Sequence, residues 1–445
     1  MMKRTTGFLH WVLPAMIGLG ALSVLLSGRD LSLMFNELAY ADSGVRHPII
    51  VWGQRGVSLL LLVACAERVL SHITHRQSLP SPILAWTFVT YWLCTVAAPA
   101  LFGSHPHVSH EYLYTLVIGF AVVLTTAREG DKLLDAARNA LFLFMLAGVL
   151  LIPVMPSMVL DASYLQGLLP GVPRLGGLAA HPVALGMFSL TAVLLLWARP
   201  FNRRWLNRLA WLLVLFVLFM AQSKTAWTAF LACSLAMLAV RNAPNLWRRV
   251  GDPHEGAFGI VVCLCAMLVT AALLGLILVG DLAGQVMSFL ESAEGAQLVS
   301  MTGRDQIWAV AIEEWQANRL FGYGPNLWDE AFRASIGMPN ATNAHNQFMD
   351  TLARSGTVGA GALVLYAVVL FVLSVRHASA TGGLSLGLFL ALTVVSISEV
   401  PLMLFAYSTD LLAHLLLLVV LASASAARVE NTMPARARPM YGMAA

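Results

Sequence analysis

Long apolar runs recur from one end of this chain to the other, and they constrain its architecture more than any other feature. A bilayer's hydrocarbon core is about 30 Å thick and takes roughly 20 residues of helix to cross. Inside lipid every backbone N–H and C=O must be paired within the protein, so segments of this kind cross as helices. With 58% hydrophobic and only 11% charged residues, 445 positions carry far more apolar surface than a water-soluble core needs. The expected fold class is therefore an all-α polytopic membrane protein. About twelve spans are read, at 8–27, 49–67, 83–102, 111–127, 139–155, 182–198, 207–222, 225–240, 257–280, 357–375, 382–399 and 405–424. Lys3 and Arg4 precede the first run, but no small-residue cleavage site follows it, so it is read as an uncleaved span.

Alternating the loops between two faces places 18 of the 27 Lys and Arg residues on the side of the amino terminus and eight on the other, with Arg55 inside a span. The positive-inside rule then puts both termini in the cytoplasm and the long segment 281–356 outside. Three regions follow: helices one to nine with short loops over 1–280, a helical outer loop over 281–356, and three further helices with a cytoplasmic tail over 357–445.

Several chemistries are excluded. Cys65, Cys94, Cys233, Cys263 and Cys265 lie in or beside apolar runs without zinc-type spacing, and read as packing residues. Walker, dinucleotide and zincin motifs are absent, so neither nucleotide-driven chemistry nor a metal or cofactor is expected. The basic stretch Ala198–Arg208 reads as a topology signal, not a nucleic-acid site.

Chemistry-bearing residues concentrate in the outer loop. Arg304–Phe321 has a helical face of Ile307, Val310, Ala311, Glu314 and Trp315, with Thr302 as the expected N-cap. A second helix is expected from Ala344, with Gly356 as its stop. Turn-rich FGYGPN and IGMPN join them, so the pair would form a lid over the bundle. Three more polar clusters face the same side: Pro173–Pro182 with Arg174 and His181, Gln222–Trp227 with Lys224, and Ser398–Pro401 with Glu399. Basic residues there run against the topology bias.

TGRDQIWAVAIEEW (302–315), LFGYGPNLW (320–328) and AHNQFMDTLARSGTVGA (344–360) together resemble the signature of the O-antigen ligase superfamily. The Arg174–Pro182 segment and the Ser-Lys-Thr-Ala-Trp turn are similar to further family segments, although Arg is more usual where this chain has Lys224. The resemblance implies an inverting glycosyltransferase of the bacterial inner membrane. Its donor would be undecaprenyl-diphosphate-linked polysaccharide and its acceptor the lipid A core, with membrane lipid around it and no nucleic acid. It also implies His345 as catalytic base and Arg304, with Arg174 or Lys224, as diphosphate ligands. Asn346, His181 and Arg55 are secondary candidates.

The residue types suit that chemistry without the analogy. A glycosyl diphosphate is already activated, so cations must receive the charge of the leaving group. An imidazole with an ordinary pKa of about 6.5 can take the acceptor's hydroxyl proton. Each residue also has a structural reading: His345 as a helix cap, Arg304 paired with Asp305 or Glu313, Arg174 and Lys224 reaching to headgroups, His181 as a loop residue, and Arg55 paired with an acid such as Glu399. A polymerase would use the same donor with another acceptor. A transporter would instead disperse its polar residues along a path through the bundle.

Overall fold

The computed structural model describes residues 8–33, 48–163, 169, 171–250, 304–339, 341–405 and 409–432, with isolated positions between 260 and 268. The expected ninth span, 257–280, lies outside the described residues save for those positions, as do Thr302 and Gly303. Helices occupy the places of the other expected spans: α1 (Val12–Ser27), α2 (Pro48–Thr74), α3 (Pro82–Phe102), α4 (Glu111–Val123), α5 (Ala127–Leu150), α6 (Pro182–Ala198), α7 (Arg204–Met220) and α8 (Lys224–Val250). After the outer-loop helices α9 (Arg304–Ala317) and α10 (Glu330–Ser335) come α11 (Gln347–His377), α12 (Leu384–Ser396) and α13 (Leu412–Thr432). Six of the described helices are long and apolar enough to cross a bilayer, and α1, α4, α6 and α12 are shorter apolar helices.

Local chemistry sets many of the ends. Pro82 and Pro182 open α3 and α6, where a missing N–H costs nothing. Thr126 and Glu129 close a reciprocal capping box on α5, satisfying two otherwise orphan amides. Gly28 ends α1 in the left-handed conformation. A π-helical turn at Leu93–Ala97 widens α3, and the Thr95 carbonyl there accepts the Ser355 hydroxyl at 2.9 Å.

Helix α13 threads the centre, with Leu415–Ala422 buried on every side, and packs on α4, α5, α11 and α12. Helix α8 lies against α6 and α12, and α11 runs against α3, α12 and α13. Lipid removes most of the hydrophobic gain from helix association, so close packing has to hold such a bundle. Small residues permit it. At Gly186 on α6 an added Cβ would stand 2.9 Å from the Ser223 Cβ and 3.1 Å from that of Ala226.

Gly356 ends the first of two helices that follow one another within α11, as expected. Its φ of 62° and ψ of −164° break α11 locally, and the helix resumes at once to His377. The break leaves backbone groups free, and residues 319–324 supply their partners. Thr357 N–H donates to Arg319 O at 2.8 Å, while Tyr323 N–H and Gly324 N–H donate to Ala353 O and Arg354 O at 2.8 and 3.0 Å. On the other flank Ser104 and His105 donate to Gly322 O and Tyr323 O. The FGYG turn is thus clasped between the end of α3 and the break in α11. Beside it, Ala311, Leu327, Trp328, Phe332, Ala341, Ala344 and Ala353 form a separate small core that holds α9 and α10 onto α11.

The eleventh and twelfth spans were expected to run to 399 and from 405. Helix α12 instead ends at Ser396 and α13 begins at Leu412, so the Ile397–Phe405 connection is a non-helical crossing. Glu399 lies in it.

Candidate functional site

Four connections meet at the end of the bundle where α6, α8 and α11 begin. The first is the segment before α6. Arg174 and Leu175 pair antiparallel with Asp161 and Leu160, and Arg29, just past the end of α1, holds this ribbon down. Its guanidinium donates to Ala180 O at 2.7 Å, Gly177 O at 3.0 Å and Met158 O at 3.3 Å. Burial pushes the Arg29 pKa down to about 10, so it stays cationic at neutral pH. Arg174 is buried, and its Nε–H donates to Ala221 O at 2.7 Å. That bond ties the ribbon to the second connection, the turn between α7 and α8.

In that turn Gln222 takes a φ of 47° and donates to Val172 O, again toward the ribbon. Lys224 starts α8 with an exposed side chain, and no carboxylate of the described residues lies within ion-pair distance of it. Its neighbour Thr225 shares a 2.9 Å hydroxyl contact with Ser398 of the third connection, α12 to α13.

The fourth connection carries His345 and Asn346. The amide of Asn346 caps α11 by accepting from Met349 N–H at 3.0 Å, and its Nδ2 donates to Ile397 O at 3.3 Å. His345 sits immediately before, at φ 47°, a left-handed conformation that costs a non-glycine residue free energy and persists only where the surroundings impose it. Its backbone N–H donates to Asn343 Oδ1 at 2.7 Å. Its Nδ1 stands 3.4 Å from Glu399 Oε2, with both side chains partly buried. No hydrogen bond of good geometry reaches that Nδ1, so the pair is apposed but not closed.

His181 completes the cluster. It caps α6, its Nδ1 accepting from Val183 N–H at 3.1 Å. Burial first, then the charge of Arg174 and more weakly that of Arg29, lower its pKa to about 4 against the opposing pull of Glu399 and Asp161. At neutral pH it is uncharged, and because Nδ1 accepts, Nε2 bears the proton. It is therefore poorly suited to be the base.

Beneath His345 lies a buried ion pair one helical turn long. Asp350 and Arg354 meet at 2.9 Å, 1% and 6% exposed. Asp350 Oδ1 also accepts from Trp328 Nε1–H at 2.9 Å and from Ala344 N–H at 3.1 Å, and Arg354 Nη1 donates to Pro325 O. The backbone that delivers His345 is thus fixed from below by a carboxylate. Arg304 opens α9 on the face that also carries Ile307, Trp308 and Ala311, and Trp308 Nε1–H donates to Ala344 O at 2.9 Å.

The fold accordingly gathers His345, His181, Arg174 and the Lys224 turn, and links Arg304 to them through Trp308. Asn346 serves as a cap and tether. Arg55 does not join them: it is exposed on α2, its guanidinium 5.3 Å from the centre of the Trp52 ring, and the expected pairing with Glu399 is replaced by the apposition of Glu399 and His345. Sequence reading missed Arg29, Asp350 and Arg354 as organisers. The i,i+4 spacing of Asp350 and Arg354 was a legible signal for their pair.

A cavity of about 450 Å³ lies far from this cluster, lined by Asp135, Arg138, Arg199, Phe201, Arg203 and Leu206. It sits at the other end of α6, about 25 Å away at 1.5 Å per residue. Arg199 there bridges Asp131 and Asp135 at 2.6 and 2.9 Å, which accounts for the cluster as a clamp between α5 and α6.

Residues 208–364 match the family model described as O-Antigen ligase. The matched stretch includes Lys224, Arg304 and His345 and excludes Arg174, His181 and Glu399. No curated protein matches the chain.

Proposed function

We propose, for a chain whose matched segment supports membership of the O-antigen ligase/polymerase superfamily, that it transfers polysaccharide from undecaprenyl diphosphate to the lipid A core at the periplasmic face of the inner membrane. The observation that carries this reading is the apposition of His345 and Glu399 at the end of the bundle that also holds Arg174 and Lys224. His345 is the base, Arg304 is the main diphosphate ligand, and Arg174 and Lys224 are the supporting cations. Lys224, exposed and without a carboxylate at ion-pair distance among the described residues, suits a mobile phosphate far better than a structural bond.

The reaction is a single displacement. An acceptor hydroxyl oxygen attacks the anomeric carbon, the bond from that carbon to the diphosphate oxygen breaks with its electron pair, and the hydroxyl proton passes to His345. The anomeric configuration inverts. Charge accumulates on the departing diphosphate, where preplaced cations act most strongly because little water competes. Convergence of the polar residues at one end of the bundle favours an enzyme over a transporter, whose polar groups would mark a path through the membrane.

The purified protein in proteoliposomes, given undecaprenyl-diphosphate-linked polysaccharide with either lipid A core or a second lipid-linked glycan, tests the reading. Polysaccharide joined to lipid A core is expected. Elongated lipid-linked glycan alone would replace the ligase reading with the polymerase one, and no transfer to either would end both.

A further inference from the structure

We infer that Glu399 is the positioning residue for His345, orienting its ring and supporting the positive charge the ring gains during transfer. The inference rests on the reading of His345 as the base. Three observations carry it. The carboxylate stands 3.4 Å from Nδ1, and among the described residues that nitrogen has no hydrogen-bond partner. The turn bearing Glu399 is tied just before it, by Asn346 to Ile397 and by Thr225 to Ser398, so the backbone that carries the carboxylate is anchored. The backbone beneath His345 is fixed by Asp350, so both partners have a supported position.

The consequence follows from imidazole chemistry. A neutral ring carries one proton, and the nitrogen without it is the base. Once Nδ1–H turns onto Glu399, the lone pair lies on the other ring nitrogen, Nε2. When the acceptor hydroxyl gives its proton to Nε2 the ring becomes an imidazolium, and the carboxylate stabilises that charge without itself taking the proton. The 3.4 Å contact is an apposition outside hydrogen-bond geometry, and it closes to a hydrogen bond as the charge forms. His181 also lies within electrostatic reach of Glu399, and it is neutral at working pH. Glu399 is therefore the carboxylate placed to serve His345.

The test is a double-mutant cycle on the full-length protein in proteoliposomes, with undecaprenyl-diphosphate-linked polysaccharide and lipid A core. Glu399→Gln, close in shape, is expected to lower kcat by about tenfold or more with the donor KM unchanged. Glu399→Asp, which keeps the charge on a shorter stem, is expected to retain more activity than the glutamine variant. In a His345→Gln background Glu399→Gln is expected to add little, because the residue it serves is gone. Wild-type kcat in Glu399→Gln, or an equal loss in both backgrounds, overturns the inference and leaves His345 as base. Wild-type kcat in His345→Gln overturns the base itself, so the two failures are distinguishable.

Discussion

Trp308 donates its indole N–H to the carbonyl oxygen of Ala344 at 2.9 Å, which joins the helix beginning at Arg304 to the residue before His345. A bond of this type contributes about 1 kcal/mol net, enough to set the register of two elements. Trp308→Phe, which keeps the ring and removes the donor, is expected to slow transfer several-fold at equal protein level. Arg304→Ala is expected to nearly abolish transfer, and Arg304→Lys to keep part of it, because lysine preserves the charge but not the guanidinium fork. Unchanged rates in membranes carrying Arg304→Ala would remove Arg304 from the donor site.

Asp350→Ala strands the buried Arg354 guanidinium and removes the acceptor for Trp328 and Ala344. Breaking one side of a buried pair costs about 3–5 kcal/mol. The thermal unfolding temperature in detergent is expected to fall sharply, with Asp350→Asn falling less because the amide oxygen can still accept. Equal unfolding temperatures would mean the pair contributes nothing to stability.

Gly356→Ala is expected to disrupt the docking of the FGYG turn, because the added Cβ would stand 2.2 Å from Leu320 O and the residue needs φ 62°. Gly361, five residues on in the same helix, has nothing within 4 Å of an added Cβ. Gly361→Ala should be neutral or stabilising, by up to about 1 kcal/mol from helix propensity. Thermal unfolding of the two variants side by side checks this, and similar behaviour would contradict it.

His181 predicts a pH dependence. Its docked pKa is about 4, below its ordinary 6.5, so a loosened segment takes a proton before the docked one does. Docking is fully stable above pH 6.5 and weakens as pH falls from there toward 4. Amides of residues 172–181 should lose hydrogen-exchange protection at pH 5 relative to pH 7.5, after correction for intrinsic rates. His181→Asn, which retains a capping oxygen, should remove most of the change.

The topology is testable with single cysteines in a background lacking the native ones. Ser335 and Glu430 are both exposed. Impermeant thiol reagents are expected to label Ser335→Cys from the periplasm and Glu430→Cys only after the membrane is opened. Labelling of both from one side would overturn the assigned orientation.

Helix positions were largely legible because each rests on a property of its own residues. Apolar length marked α3, α5 and α11, and the repeat of Ile307 and Ala311 marked α9. Gly356 was legible as a stop because glycine takes positive φ without a Cβ clash; not legible was that Arg319 and Leu320, distant in sequence, accept the amides that follow it.

Composition and pattern by themselves determined that this chain is a helical membrane protein and which segment holds its polar residues, because apolar length and residue chemistry are properties of contiguous sequence. Only the tertiary structure decided which of those residues meet. Glu399 lies 54 positions from His345 and Arg29 lies 148 from Gly177, and nothing local distinguishes these partners from other acids and carbonyls. Arg55 could be assigned to Glu399 from charge alone, whereas the fold gives that carboxylate to His345. Partner choice in a bundle depends on the relative rotation and depth of helices, set by packing contacts such as Gly186 against Ser223 and by the clasped FGYG turn, and these exist only once the chain has folded.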